Sequence, residues 1–235
     1  MPTEIVLLCD ATDAKDLAAF LLEANPKLKI THVETKTALV EHCETPKQGQ
    51  RLVAFCTSVI VPKAVLIALN GDAYNFHPGP PTYPGLYPAC FAVYAGATQF
   101  GAICHTLTES IDDGPIVGVN SVDISPDINR LDLEALSRQL ITRLFTKMAP
   151  ALATVEGPLP ELDLTWSGKP TRQKDFDALC RLPSDVSKDE FDRRYRAVWE
   201  GPFHGLTIEL FGRTFRLESK QKDDVVYKGG RPVTK

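Results

Sequence analysis

The chain has 235 residues, 43% hydrophobic and 24% charged, with a net charge of −4 and a pI near 5.8. This describes a globular chain with enough apolar residues for a sizeable core, and its mild acidity argues against a broad nucleic-acid surface. No apolar run reaches the ~20 residues of a membrane span, and the N-terminus lacks the basic start and apolar stretch of a signal peptide, so the expected location is cytoplasmic.

Glu4–Cys9 is an apolar run of strand length, followed by an amphipathic stretch, 14–24, for which Asp13 is the expected N-cap. Lys29–Val33 and Leu52–Cys56 read as the next two strands. Pro62 then opens a helix through Val65, Leu66 and Leu69, where its missing N–H costs nothing. Ala73–Phe76 is a fourth strand. Continuous apolar strands alternating with helices predict an α/β fold with a sheet covered on both faces. Residues 77–88, HPGPPTYPGLYP, hold five prolines and two glycines in twelve residues and are expected to form a rigid, exposed loop. Beyond it lie a short helix at 89–95, strands at 101–107 and 116–119, and a long helix at 132–152. Residues 157–170 are a Pro/Gly-punctuated connector, followed by a helix at 188–198 and a hairpin pairing 206–210 with 213–217 around Phe211 and Gly212. The six cysteines are scattered, with no CxxC, and read as small buried hydrophobes; no metal site is expected.

The chemistry concentrates in residues 75–116. Asn75 and His77 stand two apart at the end of a strand, so both side chains face the same side. The carboxyl ends of parallel strands are where open α/β sheets hold ligands, and the turn Ile111-Asp112-Asp113-Gly114 can bring a carboxylate to that end. An amide, an imidazole and a carboxylate gathered there can orient a carbonyl, move protons and stabilise an oxyanion. A histidine in a proline-rich loop is also a common hydrogen-bonding cap, and Asp-Gly a common turn, so spacing alone leaves both readings open.

The stretch NFHPGPPTYPGLYPACFAVYAGATQFGAICHTLTESIDDGPIV resembles the formyltransferase family, which includes glycinamide ribonucleotide, methionyl-tRNA and sugar N-formyltransferases. The residues that carry the resemblance are Asn75, His77, Pro81, Gly85, Pro88, Ala92, Gly96, Gly101, His105, Asp112, Gly114 and Ile116. It implies a Rossmann-like, mostly parallel sheet that uses 10-formyltetrahydrofolate as cosubstrate, with a catalytic domain at 1–155 and a small α+β appendage at 156–235. By the same resemblance Asn75 holds the formyl oxygen, His77 polarises the centre and takes part in proton transfer, and Asp112 orients His77. Val59, Ile60 and Val61, with Ile111, Asp113 and Gly114, line the pteridine pocket. His105 is expected to be a packed or supporting histidine.

Three departures bear on the acceptor. Pro84 stands where many relatives carry a basic residue before the loop glycine. The turn after the first strand, CDATDAK, has no glycine and two acids, a poor phosphate cradle. Few residues remain after the connector for a basic tRNA-handling domain. The expected function is therefore transfer of a formyl group to a small primary amine, most plausibly an amino sugar linked to a nucleotide. The alternatives are a 10-formyltetrahydrofolate hydrolase, a methionyl-tRNA formyltransferase-like enzyme and a non-catalytic folate-binding homologue. No nucleic-acid or membrane partner is expected, and the terminal hairpin offers an edge for a homodimer.

Overall fold

The computed structural model describes residues 1–43, 45, 47–70, 72–200, 203–217, 225–228 and 231–234. A six-stranded sheet in the order β2-β1-β3-β4-β5-β6 organises the first part of the chain, from β1 (Glu4–Leu8), β2 (Lys29–Val33), β3 (Gln50–Phe55), β4 (Ala73–His77), β5 (Gln99–Thr106) and β6 (Ile116–Asp123). The first four strands pair in parallel, and β5 and β6 add in antiparallel fashion. This is the mostly parallel α/β architecture expected from the apolar runs.

Strand alternation explains why β1 is apolar throughout. Ile5 and Leu7 enter one core, against α1 (Ala11–Ala24) and α5 (Arg130–Thr154), while Val6 and Leu8 enter the opposite core, against α2 (Lys36–Cys43) and α3 (Lys63–Leu69). In β3, Val53 and Phe55 take the first side and Leu52 and Ala54 the second. The chain reverses its lateral direction at β1, which sits between β2 and β3, so a crevice opens outside the carboxyl ends of β1 and β3. Helix α1 starts earlier than the sequence suggests: Asp10 caps it by accepting from the Thr12 N–H at 2.9 Å, while Asp13 pairs with Arg138. Helix α2 was not expected, because its Thr, Val and His side chains show little helical periodicity.

A third apolar cluster joins α4 (Pro88–Ala95) to α6 (Gln173–Cys180), β7 (Arg181–Leu182), α7 (Lys188–Ala197) and β10 (Thr207–Leu210), which forms a hairpin with β11 (Arg213–Arg216), while β8 (Trp199–Glu200) and β9 (Phe203–His204) pair with each other. The hairpin has the predicted turn, with Phe211 at φ 52° and Gly212 at φ 71°. The last strands, β12 (Val225–Lys228) and β13 (Arg231–Thr234), pair with each other.

Two buried charges lie on neighbouring strands near the amino end of the sheet. Arg51 on β3 is fully buried, and its guanidinium donates to Asp72 and to the carbonyls of Ala151, Leu152, Val155 and Gly157, closing the C-terminus of α5. Glu4, at the amino end of the sheet, accepts from Lys29, Thr31, His42 and Gln50. Burial alone would raise the Glu4 pKa, but these partners outweigh it and hold the carboxyl well below the usual range. A carboxyl depressed in the folded state stabilises the fold above its unfolded pKa of ~4.3, and that contribution is lost as pH falls toward the folded value. Glu4→Gln is accordingly expected to lower the urea midpoint at pH 7, with the difference from wild type shrinking as pH drops from about 5 to 3.

Candidate functional site

The proline loop is half-buried and not exposed as expected, because the connector lies across it. Ser167 and Gly168 donate backbone N–H groups to the Pro81 carbonyl, Thr171 donates to Pro84, and Leu86 donates back to Thr171. Gly168 and Gly85 permit this approach, since a Cβ at either would collide with Thr82 or Thr171 backbone. The loop that begins at His77 is thereby fixed from Pro81 to Leu86.

Asn75 and His77 lie on one side of β4. Antiparallel pairing sets His105 of β5 directly across from Asn75, and the register shifts between Cys104 and His105. Asn75 Nδ2 lies 3.1 Å from His105 Nε2. Asp112 has φ 45°, in the left-handed region that Asp tolerates better than most residues. Its carboxylate sits between both imidazoles: Oδ2 is 3.3 Å from His77 Nδ1 and Oδ1 is 3.2 Å from His105 Nε2. The Gly85 N–H donates to Oδ2 at 2.7 Å. Asp113 is exposed, and Asp112 is the carboxylate of this turn that reaches the two imidazoles. Gly114 follows because a Cβ there would run into the Thr106 carbonyl oxygen.

Protonation in the cluster follows from its neighbours. His77 and His105 are 4% and 1% exposed. Burial pushes the His77 pKa down, against the pull of Asp112 and the Tyr83 carbonyl, so His77 is neutral at pH 7. Burial would raise the Asp112 pKa, but His105, His77 and the Gly85 N–H prevail and keep it below the usual value. His77 Nε2 lies 2.9 Å from the Tyr83 carbonyl and its Nδ1 faces Asp112. Both neighbours only accept hydrogen bonds, so a neutral His77 satisfies one of them at a time, and only the imidazolium satisfies both. The ring is thus set to take up a proton that burial resists. His105 Nδ1 donates to the Thr106 carbonyl, and its Nε2 lies between Asn75 Nδ2 and the Asp112 carboxylate.

These groups form one wall of a cavity of about 480 Å³, within the range of small-molecule and cofactor sites. Val59, Ile60, Val61 and Ile111 line it, together with Leu107 and Thr108, whereas Asp113 and Gly114 are not among its lining residues. Of these, Ile60 and Ile111 are 59% and 45% exposed, so part of the apolar lining is open to solvent. Thr171 and Arg172, just past the connector, line it as well, and no sequence signal marked them for the site.

The formyl transferase family profile matches residues 10–147, more than half of the chain, including Asn75, His77, His105 and Asp112. The chain belongs to the formyl transferase family. The methionyl-tRNA formyltransferase of Roseobacter denitrificans is 26% identical over 160 residues, covering 67% of this chain and 50% of that protein. The chain spans about half the length of the curated relatives it matches. Among solved structures, a sugar N-formyltransferase from Shewanella superposes with a TM-score of 0.71 at 18% identity, covering 93% of this chain and 98% of that one. An N-formyltransferase from Helicobacter canadensis, in complex with folinic acid and dTDP-3-aminofucose, superposes with a TM-score of 0.65 at 12% identity, covering 90% and 85%. At these identities the structural likenesses establish a shared fold.

Proposed function

We propose that the chain transfers the formyl group of 10-formyltetrahydrofolate to the primary amine of a small molecule, an amino sugar linked to a nucleotide. The observation that carries this reading is the placement of Asn75, His77 and Asp112 on the polar wall of a cavity whose other wall is apolar. A flat pteridine suits the surface made by Val59, Ile60, Val61 and Ile111, with the formyl group directed at Asn75. Residues 1–155 form the catalytic unit, and 156–235 add the segment that closes over it.

In the reaction, the neutral amine attacks the formyl carbon and a C–N bond forms. The tetrahedral intermediate carries an oxyanion, to which the Asn75 Nδ2–H not used by His105 donates. The C–N10 bond of the folate then breaks, and the proton lost by the amine is delivered to the departing nitrogen. His77 takes up and returns that proton, with Asp112 holding the imidazolium while it exists. The two carboxylates near the end of β1 also favour a sugar acceptor over a phosphate at that turn: the amino end of α1 is already capped by Asp10, and Asp13 is paired with Arg138. The net charge of −4 suits a small-molecule acceptor better than tRNA.

The test is tetrahydrofolate release from 10-formyltetrahydrofolate in the presence and absence of a panel of amines that includes nucleotide-linked amino sugars. Release that requires an amine is the expected result. Release at the same rate without amine identifies a hydrolase, and stabilisation by folates with no turnover identifies a binding protein.

A further inference from the structure

The connector does more than span two parts of the chain. Its path crosses the Asp112 turn, the start of β6 and the proline loop. The Leu162 N–H donates to Ile116 at the start of β6, the Trp166 indole N–H donates to the Gly114 carbonyl at 2.8 Å, and Ser167 through Thr171 bind the proline loop. Trp166 thus sits between the turn that carries Asp112 and the loop that follows His77. Its ring stands edge-to-face against His105, with centroids 5.1 Å apart at 87°, and against His77 at 6.0 Å and 64°. It lies outside the segment matched by the family profile, residues 10–147.

We propose that Trp166 is a positioning residue of the site, tying the Asp112 turn to the proline loop and closing water off from the two imidazoles. The inference rests on the formyl-transfer reading for its kinetic consequence only. The ionisable groups that face one another here, among the described residues, are Asp112 from the turn, His77 from β4 and His105 from β5; the proline loop presents the Tyr83 carbonyl and the connector presents the indole. Removing the indole admits water to His77, whose pKa burial holds down, so its titration moves up toward the ordinary value. The indole makes no demand on an acceptor amine, so its loss acts on kcat more than on the acceptor KM.

Trp166→Ala and Trp166→Phe test this by two readouts. The first is the NMR pH titration of the His77 ring, identified by its disappearance in His77→Asn; it needs no turnover and so stands whatever the reaction is. The second is the pH profile of kcat and KM for the amine that supports turnover. Trp166→Ala is expected to shift the His77 midpoint and the acid limb of kcat to higher pH, and to lower kcat by ~10- to 100-fold with acceptor KM within about threefold. Trp166→Phe keeps an aromatic ring over the imidazoles but loses the bond to Gly114, so it holds the wild-type midpoint with a smaller loss of kcat. A His77 midpoint unchanged in Trp166→Ala, or a rise in acceptor KM with kcat intact in either variant, overturns the proposal. A shifted midpoint in a protein that turns over no amine supports the seal and contradicts the transferase reading alone.

Discussion

Asn75→Ala and His77→Ala are each expected to lower turnover by at least ~100-fold while the fold stays intact, and Asp112→Asn to do nearly as much. The three act at different points of one event. Without Asn75 the oxyanion loses a donor held in place before the reaction begins, which is why its removal falls on kcat and not on folate affinity. Without His77 the amine proton loses the imidazole that takes it up and returns it. Asp112→Asn keeps the shape of the turn but removes the charge that stabilises the His77 imidazolium, and the acid limb of the rate profile moves to lower pH as that ring becomes harder to protonate. Asp113→Asn is the internal control, because that carboxylate is exposed and lies off the cavity. The measurement is steady-state kcat and KM for the formyl donor, with urea midpoints recorded for each variant so that a folding defect is not read as a catalytic one. A loss below about tenfold in Asn75→Ala or His77→Ala assigns the chemistry elsewhere.

Arg51→Met is expected to destabilise the protein by ~3–5 kcal/mol, the range for removing one partner from a buried ion pair. The loss is large because it is shared. Asp72, 15% exposed, is left with no guanidinium, and burial already pushes its pKa up. The carbonyls of Ala151, Leu152, Val155 and Gly157 lose their donor at the point where α5 ends and the connector begins. Arg51→Lys restores a charge but not the planar fork that reaches four carbonyls and a carboxylate, and is expected to recover only a minor part. The urea midpoint at pH 7 reads the effect, and a midpoint equal to wild type for Arg51→Met contradicts it. Because Arg51 anchors the chain just upstream of the segment carrying Trp166, a fall in kcat is expected even under conditions where Arg51→Met is fully folded.

What was legible in the sequence divides along the range of the contacts involved. Asn75 and His77 could be placed together from a strand period of two, because local geometry decides it, whereas the acidic turn could only be brought to the same end and Asp112 was singled out by the family resemblance. His105 could not be assigned to the same cluster in advance. Its position depends on which residue of β5 stands opposite Asn75, and on the register shift beside it, neither of which leaves a local pattern. The proline loop was expected to be rigid, which proline alone dictates, and exposed, which proline does not dictate; whether another segment covers it is settled by Thr171 and Gly168 from far along the chain. Trp166 and Arg51 stood out even less. An isolated tryptophan in a connector and a lone arginine in a strand acquire a role only through carbonyls more than fifty residues distant.

The most direct test of the account follows a labelled carbon. With 10-formyltetrahydrofolate carrying 13C in the formyl group and a nucleotide-linked amino sugar as acceptor, NMR of the reaction mixture is expected to show the label in an N-formyl amide, formed by the wild type and not detectably by His77→Ala. Label appearing only as free formate, or an amide formed equally well by His77→Ala, contradicts formyl transfer at this site.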